Sequence, residues 1–323
     1  MPKYDIMGKK KIYFTISTII AIITIVGFIV NGLQYDVQFS GGTSIKIEMA
    51  DDKFDPNDAS KLVKDMFKKE ASAFKKTNYD PDNNKNKINI LEVKISNDEG
   101  ALDSKQFNEL LEEFQKNKDF KVKENPNMEI QNIQPAIGKE MRNNGFLAVI
   151  ISAVCITLYI ALRFKLMSGL TAGATAIIAL LHDIIVMMGV YVIFKIPINE
   201  TFIAAILTII GYSVNDTIII YDRIRENMTR VRKTNLSDLV NISIIQTLAR
   251  SINTVVTVLI CVISLYIFAS INNIESIKQF SFPIIVGITS GAYSSIFIAS
   301  PLWVLLKDKS NKSLNVKVKA KKA

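Results

Sequence analysis

Residues 201–227 read TFIAAILTIIGYSVNDTIIIYDRIREN, and the apolar run within them, residues 201–221, is long enough to cross a bilayer and carries one carboxylate, Asp216. A helix spans the hydrocarbon core with about 20 residues at roughly 1.5 Å each. A carboxylate at such a depth costs about 2.5–3.5 kcal/mol on insertion scales. A carboxylate at such a cost is expected to have a compensating partner or a function, so Asp216 is the first candidate for a functional residue.

The whole chain has the composition of a membrane protein with a soluble part. It has 323 residues, is 49% hydrophobic and 21% charged, and has a mean hydropathy of +0.24. This mixture predicts membrane spans joined to a folded polar domain. Six runs are long enough to span, and the first is expected to be an uncleaved anchor rather than a signal peptide because its apolar core is too long. The predicted spans are residues 12–33, 145–162, 169–194, 201–221, 252–270 and 280–306.

The distribution of positive charge predicts the orientation. If the N-terminus is cytoplasmic, the segments on that side hold 19 Lys and Arg residues, whereas the short loops on the other side hold 2. The positive-inside rule then places residues 1–11, the loop 222–251 and the basic tail 307–323 in the cytoplasm. Residues 34–144 are extracytoplasmic. They hold 18 basic and 21 acidic residues, so the net charge of +9 reflects membrane orientation and not nucleic-acid binding.

The segment 34–144 is expected to fold as an α+β domain. Residues 44–49 and 88–95 alternate apolar and polar side chains as half-buried strands do, and 120–122 and 128–133 could add strands. Apolar residues at helical spacing predict helices over 56–76 and 103–116, and 81–84 is expected to be an exposed loop. This order suits a small sheet with both helices on one face, ferredoxin-like in outline. Within the loop 222–251, a short interfacial helix is expected.

Enzyme chemistry has no positive sign in the sequence. Gly41-Gly42-Thr43 lacks the lysine of a nucleotide-binding loop, and there is no Cys/His cluster with zinc spacing and no G-x-S-x-G motif. The chain contains one histidine, so imidazole catalysis has a single candidate. We expect no enzymatic activity, no cofactor and no metal.

Polar residues inside the predicted spans are the strongest candidates for function. They lie in the third span, in the fourth span and at the start of the fifth: His182, Asp183, Asn215, Asp216 and Arg250. One interpretation is structural, with the carboxylates bonded to Arg250 or to hydroxyls that hold helices together. The other is an ion path, because burial disfavours a charged carboxylate while a nearby cation favours it. The pattern does not separate H⁺ from Na⁺. Ser294 and Ser295 are expected to hydrogen-bond locally.

Several motifs together resemble the SecF proteins of the SecD/SecF family, within the RND superfamily. The fourth-span motif GYSVNDT (211–217) with DRIREN (222–227) is the most specific one. The others are FSGGT (39–43), LHD (181–183), RSINT (250–254) and GAYSSIFIA (291–299). Gln38 stands where the family usually has an acidic residue. The residues that carry the structural part of the resemblance are Gly41, Gly42, Gly211, Asp222 and Arg223.

The resemblance implies an RND-type half: an α-helical membrane protein with six transmembrane helices and one extracytoplasmic ferredoxin-like domain between helices 1 and 2. It implies an auxiliary subunit of the Sec translocase in the bacterial cytoplasmic membrane, which uses the proton or sodium motive force to promote polypeptide translocation. Asp216, Arg250 and Asn215 would be the ion-coupling residues, and His182 and Asp183 a candidate polar relay. The implied partners are SecD, the SecYEG channel, YajC- or YidC-type subunits, the exported polypeptide and lipid.

Two other hypotheses stay open at this point. One is a half-size RND-type exporter of small molecules or lipids, which would need a partner or a second copy because a complete exporter has two six-span halves. The other is a scaffold that binds the channel without ion coupling.

Overall fold

A computed structural model describes residues 5–79, 87–96, 102–117, 119–123, 126–230 and 234–308. Within these residues, six helices are long and apolar enough to cross a membrane, which confirms the predicted number of spans. They are α1 (Lys10–Asn31), α5 (Pro135–Arg163), α6 (Gly169–Ile193), α7 (Glu200–Arg230), α8 (Leu236–Ile271) and α9 (Glu275–Ser294). The last helix continues through one π-helical turn, Ser295–Ala299, and ends at Asp308.

The three inner helices of the bundle are α6, α7 and α9. Half or more of the residues in the most apolar stretch of each of these helices are buried. In α1, α5 and α8, almost none of the residues in the corresponding stretch are buried. The outer helices therefore present side chains such as Ile29 and Ile260 to the surroundings. This division follows the sequence, since the inner helices carry the small and polar residues and the outer ones carry long aliphatic stripes.

A small sheet domain lies between α1 and α5. A short helix, α2 (Val37–Ser40), leads into β1 (Gly42–Met49), α3 (Pro56–Phe67), β2 (Ala71–Tyr79), β3 (Lys87–Ser96), α4 (Ser104–Lys116) and β4 (Met128–Ile133). The strands are antiparallel in the order β2-β3-β1-β4. Inward residues of the central strands, Ile47 and Leu91, pack against Val63, Leu110 and Phe114 of the two helices. This is the ferredoxin-like arrangement that the sequence predicted.

Two predictions for this domain are wrong in detail. The helix expected over 56–76 ends at Phe67, because Lys68 adopts a left-handed conformation with φ 56° and the chain turns into β2. Phe74, which had been counted on the helix, lies on that strand. The strand expected over 120–122 is a single bridge between Met49 and Val122. The loop expected at 81–84 falls outside the described residues.

Two boundaries in the membrane part also differ from the prediction. The helix expected from residue 145 begins at Pro135, so the last part of the segment 34–144 belongs to α5. The expected loop 222–251 is mostly helix, since α7 runs to Arg230 and α8 starts at Leu236. There is no separate interfacial helix in the described part of this segment. Its apolar residues, such as Val240 and Ile244, are fully buried in the bundle core and simply extend α8.

The sheet domain is tied to the bundle at the end beside the sheet, here called the sheet end. Tyr35 pairs with Ile198 in the loop before α7, and Asp36 forms a buried ion pair with Lys94 of β3 at 2.7 Å. Gly41 has φ +82°, and a Cβ there would lie 2.6 Å from the Cα of Pro135. Only glycine permits this close approach of the strand entry to the start of α5.

Candidate functional site

The first buried carboxylate, Asp183, is enclosed by serine hydroxyls. It lies in the middle of α6 and is 1% exposed. Ser213 of α7 donates to Oδ2 at 2.7 Å, Ser290 of α9 donates to Oδ1 at 2.7 Å, and Ser294 donates to Oδ2 at 2.8 Å. Hydrogen bonds of this length to a carboxylate are the strong, charge-assisted kind. Asp183 therefore holds three helices together.

A line of further hydroxyls extends from this cage between α7 and α9. Ser295 donates to the carbonyl oxygen of Ser213 at 3.1 Å and shares a hydrogen bond with Thr217 at 2.9 Å. Ser295 is also the first residue of the π-helical turn in α9. Such turns occur often at functional sites, since they re-aim side chains within a helix. The hydroxyl seam is defined as Asp183, Ser213, Thr217, Ser290, Ser294 and Ser295.

The second buried carboxylate, Asp216, lies one turn beyond Ser213 on α7 and is 6% exposed. Its Oδ1 atom is buried and has no hydrogen-bond partner. The side chain lines a cavity of about 10 Å³ between α7, α8 and α9. The other lining residues are Tyr212, Ser213, Thr254, Val255, Val258, Ile288, Gly291 and Ala292.

Arg250 lies near Asp216 but is not bonded to it. It is exposed on α8, one turn before Thr254, and close enough to act electrostatically on the carboxylate. Among the ion pairs of the described residues, none within 4.0 Å joins these two side chains. The structure therefore brings the predicted pair together as neighbours across the α7–α8 interface, with the carboxylate oxygen left free.

The remaining residues of the fourth-span motif lie elsewhere. Gly211 and Asn215 are exposed, and a Cβ built at Gly211 would meet nothing within 4 Å, so this glycine makes no close contact with another helix in the described part of the chain. Asp222 and Arg223 lie at the end of the bundle away from the sheet, here called the basic end. There Asp222 contacts Arg225 at 2.5 Å, and Arg223 donates to Gln246 of α8 at 2.6 Å.

His182 is only loosely connected to Asp183. Its Nδ1 is 3.4 Å from Oδ1 of Asp183, beyond the usual N–H···O range, and its Nε2 is buried without a partner. The imidazole stacks on the ring of Tyr293 with centroids 5.8 Å apart. The main contact of the histidine is therefore ring stacking, and not a hydrogen bond.

Sequence reasoning missed the serines of α9. Ser294 and Ser295 had been expected to bond locally, but they reach α6 and α7. A signal was available, because Ser290 and Ser294 are four residues apart and so lie on one face of a helix. Gly291, between them, lets that face approach α7, since a Cβ at Gly291 would lie 3.1 Å from the Cβ of Ser213.

Three comparisons with known proteins bear on the identity of the chain. The family model described as "Protein export membrane protein SecD/SecF, C-terminal" matches residues 112–309. The "Protein translocase subunit SecF" of Alicyclobacillus acidocaldarius is 32% identical over 314 residues, which are 96% of this chain and 95% of that protein. The "Protein translocase subunit SecDF" of Bacillus subtilis is 33% identical over 319 residues, covering 96% of this chain and 39% of that one.

Solved structures agree with the sequence relatives. The crystal structure of SecDF from Thermus thermophilus, described as a translocon-associated membrane protein, matches 95% of this chain and 39% of its own with a TM-score of 0.75 and 28% identity. The likeness thus includes the six helices and the sheet domain. The family match, the SecF relative that aligns over 95% of its own length and the shared fold together show that the chain is a multi-pass membrane protein that belongs to the SecD/SecF family of protein export membrane proteins.

Proposed function

We propose that this chain is an auxiliary subunit of the bacterial Sec translocase, which works with a SecD partner and draws on a transmembrane ion gradient to promote polypeptide translocation. The relatives named SecF and SecDF support the translocase role. The chain matches 39% of the fused SecDF chain of Bacillus subtilis, so a separate SecD subunit would supply the rest. The SecYEG channel and YajC- or YidC-type subunits are the further partners proposed.

One observation carries the ion-coupling part of this proposal: Asp216 is 6% exposed, yet its Oδ1 has no hydrogen-bond partner. A buried polar atom without a partner costs about 1–3 kcal/mol, and more if it is charged. At Asp183 the fold supplies three serine donors to a buried carboxylate. The missing hydrogen bond at Asp216 is therefore specific to that site. An oxygen left free at such a cost is available to bind an ion.

Arg250 is proposed to tune the occupancy of Asp216. An approaching guanidinium favours the charged carboxylate, and burial without it favours the neutral form. One charge that crosses a potential of about 100 mV releases roughly 2.3 kcal/mol. A gain of that size shifts the populations of two conformations substantially if they differ in ion occupancy.

The sheet domain is placed to follow such a movement. Helix α7 carries Asp216, and the residue two positions before α7, Ile198, pairs with Tyr35 at the entry to the sheet domain. Asp36, next to Tyr35, is ion-paired to β3 through Lys94. A shift of α7 relative to α6 and α9 would therefore reach the sheet through a short chain of bonded groups.

The proposed orientation puts the basic end in the cytoplasm and the sheet domain outside, since basic residues crowd the segments at that end. The exposed face of α7 that carries Gly211, Tyr212 and Asn215 is the proposed contact with SecD. Tyr212 is 43% exposed there, and Asn215 is a polar group that a helical partner could bond.

The decisive test is Asp216→Asn in the full translocase, reconstituted in membrane vesicles with its SecD partner. We expect the variant to stay in the membrane and to lose the gradient-dependent part of export at low ATP. Asp238→Asn is the matched control, because Asp238 is exposed on the cytoplasmic extension of α8 and undergoes the same chemical change. Export by Asp216→Asn equal to that of the control would refute ion coupling through this residue.

Affinity purification tests the translocase role separately. Recovery of SecD and channel subunits with the chain supports it. Recovery of self-copies alone, without SecD, would instead favour the half-size exporter.

A further inference from the structure

We propose that the cleft between the sheet domain and the sheet end of the bundle binds an extended segment of the exported polypeptide, which adds as a further strand to the open edge of β2. This role rests on the proposed translocase function and names where on this chain the polypeptide would bind. Three features support it: the lining of the cleft, the position of β2 in the sheet and the register of β2 against β3.

The cleft is large enough for a peptide segment. Its volume is about 730 Å³, within the range of about 300–1,000 Å³ that ligand pockets have. Aromatic side chains of the membrane helices, Tyr191, Tyr266 and Phe282, form part of its wall on the bundle side. On the domain side, Asn57 and Ser60 of α3 form part of the wall. The cleft therefore offers both apolar and polar surface to side chains of varied character.

The cleft runs along the edge of β2 and not over a face of the sheet. Four successive residues of β2, 71–74, line it. Successive side chains of a strand point to opposite faces, so a cavity that reaches all four residues must lie beside the strand. In the order β2-β3-β1-β4, β2 is the outermost strand, and its other side pairs with no strand of the described residues. The cleft therefore lies along an open sheet edge.

The pairing with β3 determines which backbone groups face the cleft. The amide of Ser96 donates to the carbonyl oxygen of Glu70 at 2.9 Å, so these two residues form a hydrogen-bonded pair. Such pairs alternate along an antiparallel ladder with pairs that are not hydrogen-bonded. Residues 72 and 74 therefore bond β3, and Ala71 and Ala73 turn their backbone groups to the open edge.

The hydrogen bond of Ala71 agrees with this direction. Its carbonyl oxygen accepts from the hydroxyl of Ser60 on α3 at 2.7 Å, and not from β3. Ala73 lies two residues further along the same edge, and it presents both an N–H donor and a carbonyl acceptor to the cleft. An added strand would bond these two groups.

The part of β2 within the cleft lacks the charges that usually protect an edge strand. Natural sheets protect their edges with lysines and with covering loops. Beyond the cleft, β2 carries Lys75 and Lys76, and the side chain of Asn273 donates to Thr77 at 3.3 Å. Residues 71–74 are Ala, Ser, Ala and Phe, without a charge. The first half of the strand is therefore open to another backbone, and the second half is protected.

Recognition through the backbone fits a polypeptide of variable sequence. In strand addition the main-chain hydrogen bonds supply affinity, and pockets for alternate side chains supply specificity. A translocase exports many sequences, so a site that reads mainly the backbone suits its substrate. A segment opposite residues 71–74 would be about four residues long and span roughly 13 Å.

The charges of the cleft favour a polypeptide over a lipid phosphate. Two lysines of the lining are already paired, Lys64 with Glu70 at 2.6 Å and Lys278 with Glu275 at 3.1 Å. A phosphate is held best by several charge-assisted hydrogen bonds from cations that converge on it. Among the described residues of the lining, Lys195 alone is a lysine without an ion pair. The open strand edge is therefore the stronger binding feature.

The test uses the full translocase in membrane vesicles and an exported polypeptide that a folded domain at its C-terminal end arrests midway. A photo-reactive residue replaces Lys64 of the cleft, and the yield of adduct with the polypeptide is measured after illumination. A photo-reactive residue in place of Lys116 is the control. Lys116 also ends a helix of the domain and pairs with a glutamate, Glu112, but lies outside the cleft. We expect adduct from position 64 and only background from position 116.

Ala73→Pro tests the strand edge itself. Proline removes the N–H that faces the cleft, and an edge strand tolerates it where no bond of the ladder is lost. With the photo-reactive residue at position 64, the yield should fall about threefold to tenfold, the effect of one lost hydrogen bond. Thr77→Pro is the matched control, because the register turns Thr77 the same way but Thr77 lies beyond the cleft. Its yield should stay at that of the parent.

A change in the polypeptide leaves the chain itself intact. Proline at alternate positions of the arrested segment removes the N–H groups on one side of it, so the yield at position 64 should fall again. Permuting the side chains of the same segment without proline should leave the yield unchanged.

Three results would overturn the strand site: equal yields from positions 64 and 116, adducts at position 64 with lipid or SecD instead of the polypeptide, or equal yields from Ala73→Pro and Thr77→Pro. A yield that follows the permuted side chains as strongly as the prolines would overturn recognition through the backbone. Recovery of SecD with the chain, and export that depends on Asp216, would still support the proposed function in each case. The two failures are therefore distinguishable.

Discussion

Asp183 and Asp216 are buried to nearly the same extent on neighbouring helices, 1% and 6% exposed, yet their surroundings are opposite. Asp183 accepts hydrogen bonds from three serines on two other helices. Asp216 has one oxygen with no partner and lines a small cavity between α7, α8 and α9. Burial alone therefore does not identify the working carboxylate. What distinguishes the two carboxylates is how completely each one is hydrogen-bonded.

The two sites share one turn of α7. Ser213 donates its hydroxyl to Asp183, its carbonyl oxygen accepts from Ser295, and its side chain also lines the cavity of Asp216. The hydrogen bonds to Asp183 thus hold in place the turn of α7 from which Asp216 projects. We infer that Asp183 has a structural role, and that its effect on ion coupling passes through the position of Ser213.

The largest effect that tests this comparison is expected from Asp183→Ala. The variant leaves three serine hydroxyls without their acceptor, and each buried group without a partner costs about 1–3 kcal/mol. Some hydroxyls can turn back to their own helix, so we expect a total loss of about 2–5 kcal/mol. Denaturant unfolding in detergent measures it. Asp183→Asn, which keeps one acceptor oxygen, should lose less, and equal losses would argue against the hydrogen-bond account.

A smaller loss is expected from removing one donor, as in Ser294→Ala. Its hydroxyl lies 2.8 Å from Oδ2 of Asp183, where Ser213 still donates to the same oxygen. One hydrogen bond to a charged group is worth about 1.5–3 kcal/mol. Ser270→Ala is the control, because Ser270 lies near the end of α8, away from the seam. If both serine variants unfold at the same denaturant concentration, the cage does not contribute to stability.

Much of the fold could be predicted because it depends on local patterns. The six spans follow from apolar length, and the ferredoxin-like order follows from alternating periods. The strand β2 was missed because residues 71–76 continue an apolar spacing that also fits a helix, and only the left-handed turn at Lys68 separates the two. The extensions of α7 and α8 were missed because their buried faces become visible only once the bundle is assembled.

The candidate site was predictable in its residues but not in their roles. Asp183, Asp216 and Arg250 stand out because they are ionisable residues in or beside apolar spans. Whether a carboxylate meets serines or a cavity depends on the rotation of each helix about its axis. That rotation is set by contacts between distant segments, such as Gly291 against Ser213, and a single sequence does not show them.

Asp216→Asn is expected to have a small effect on stability, in contrast to its effect on export. Removing a charge that lacks a partner relieves a cost, and Asn occupies nearly the same volume. The free energy of unfolding should stay within about 1 kcal/mol of the parent value or rise. Unfolding of the pair Asp216→Asn and Asp183→Asn under identical conditions makes the comparison direct. A larger loss at Asp216 than at Asp183 would reverse the assignment of roles.

The smallest effect is expected from His182→Phe. The imidazole lies 3.4 Å from Asp183 and has no other bonded partner in the described structure, so it adds little to the cage. Phenylalanine keeps the stacking on Tyr293 and removes the buried Nε2, which has no partner. We expect a stability change below about 1 kcal/mol and unchanged gradient-dependent export. If this export falls as far as in Asp216→Asn while the fold is intact, the histidine takes part in ion coupling, and Asp183 then belongs to the ion path and not to the scaffold alone.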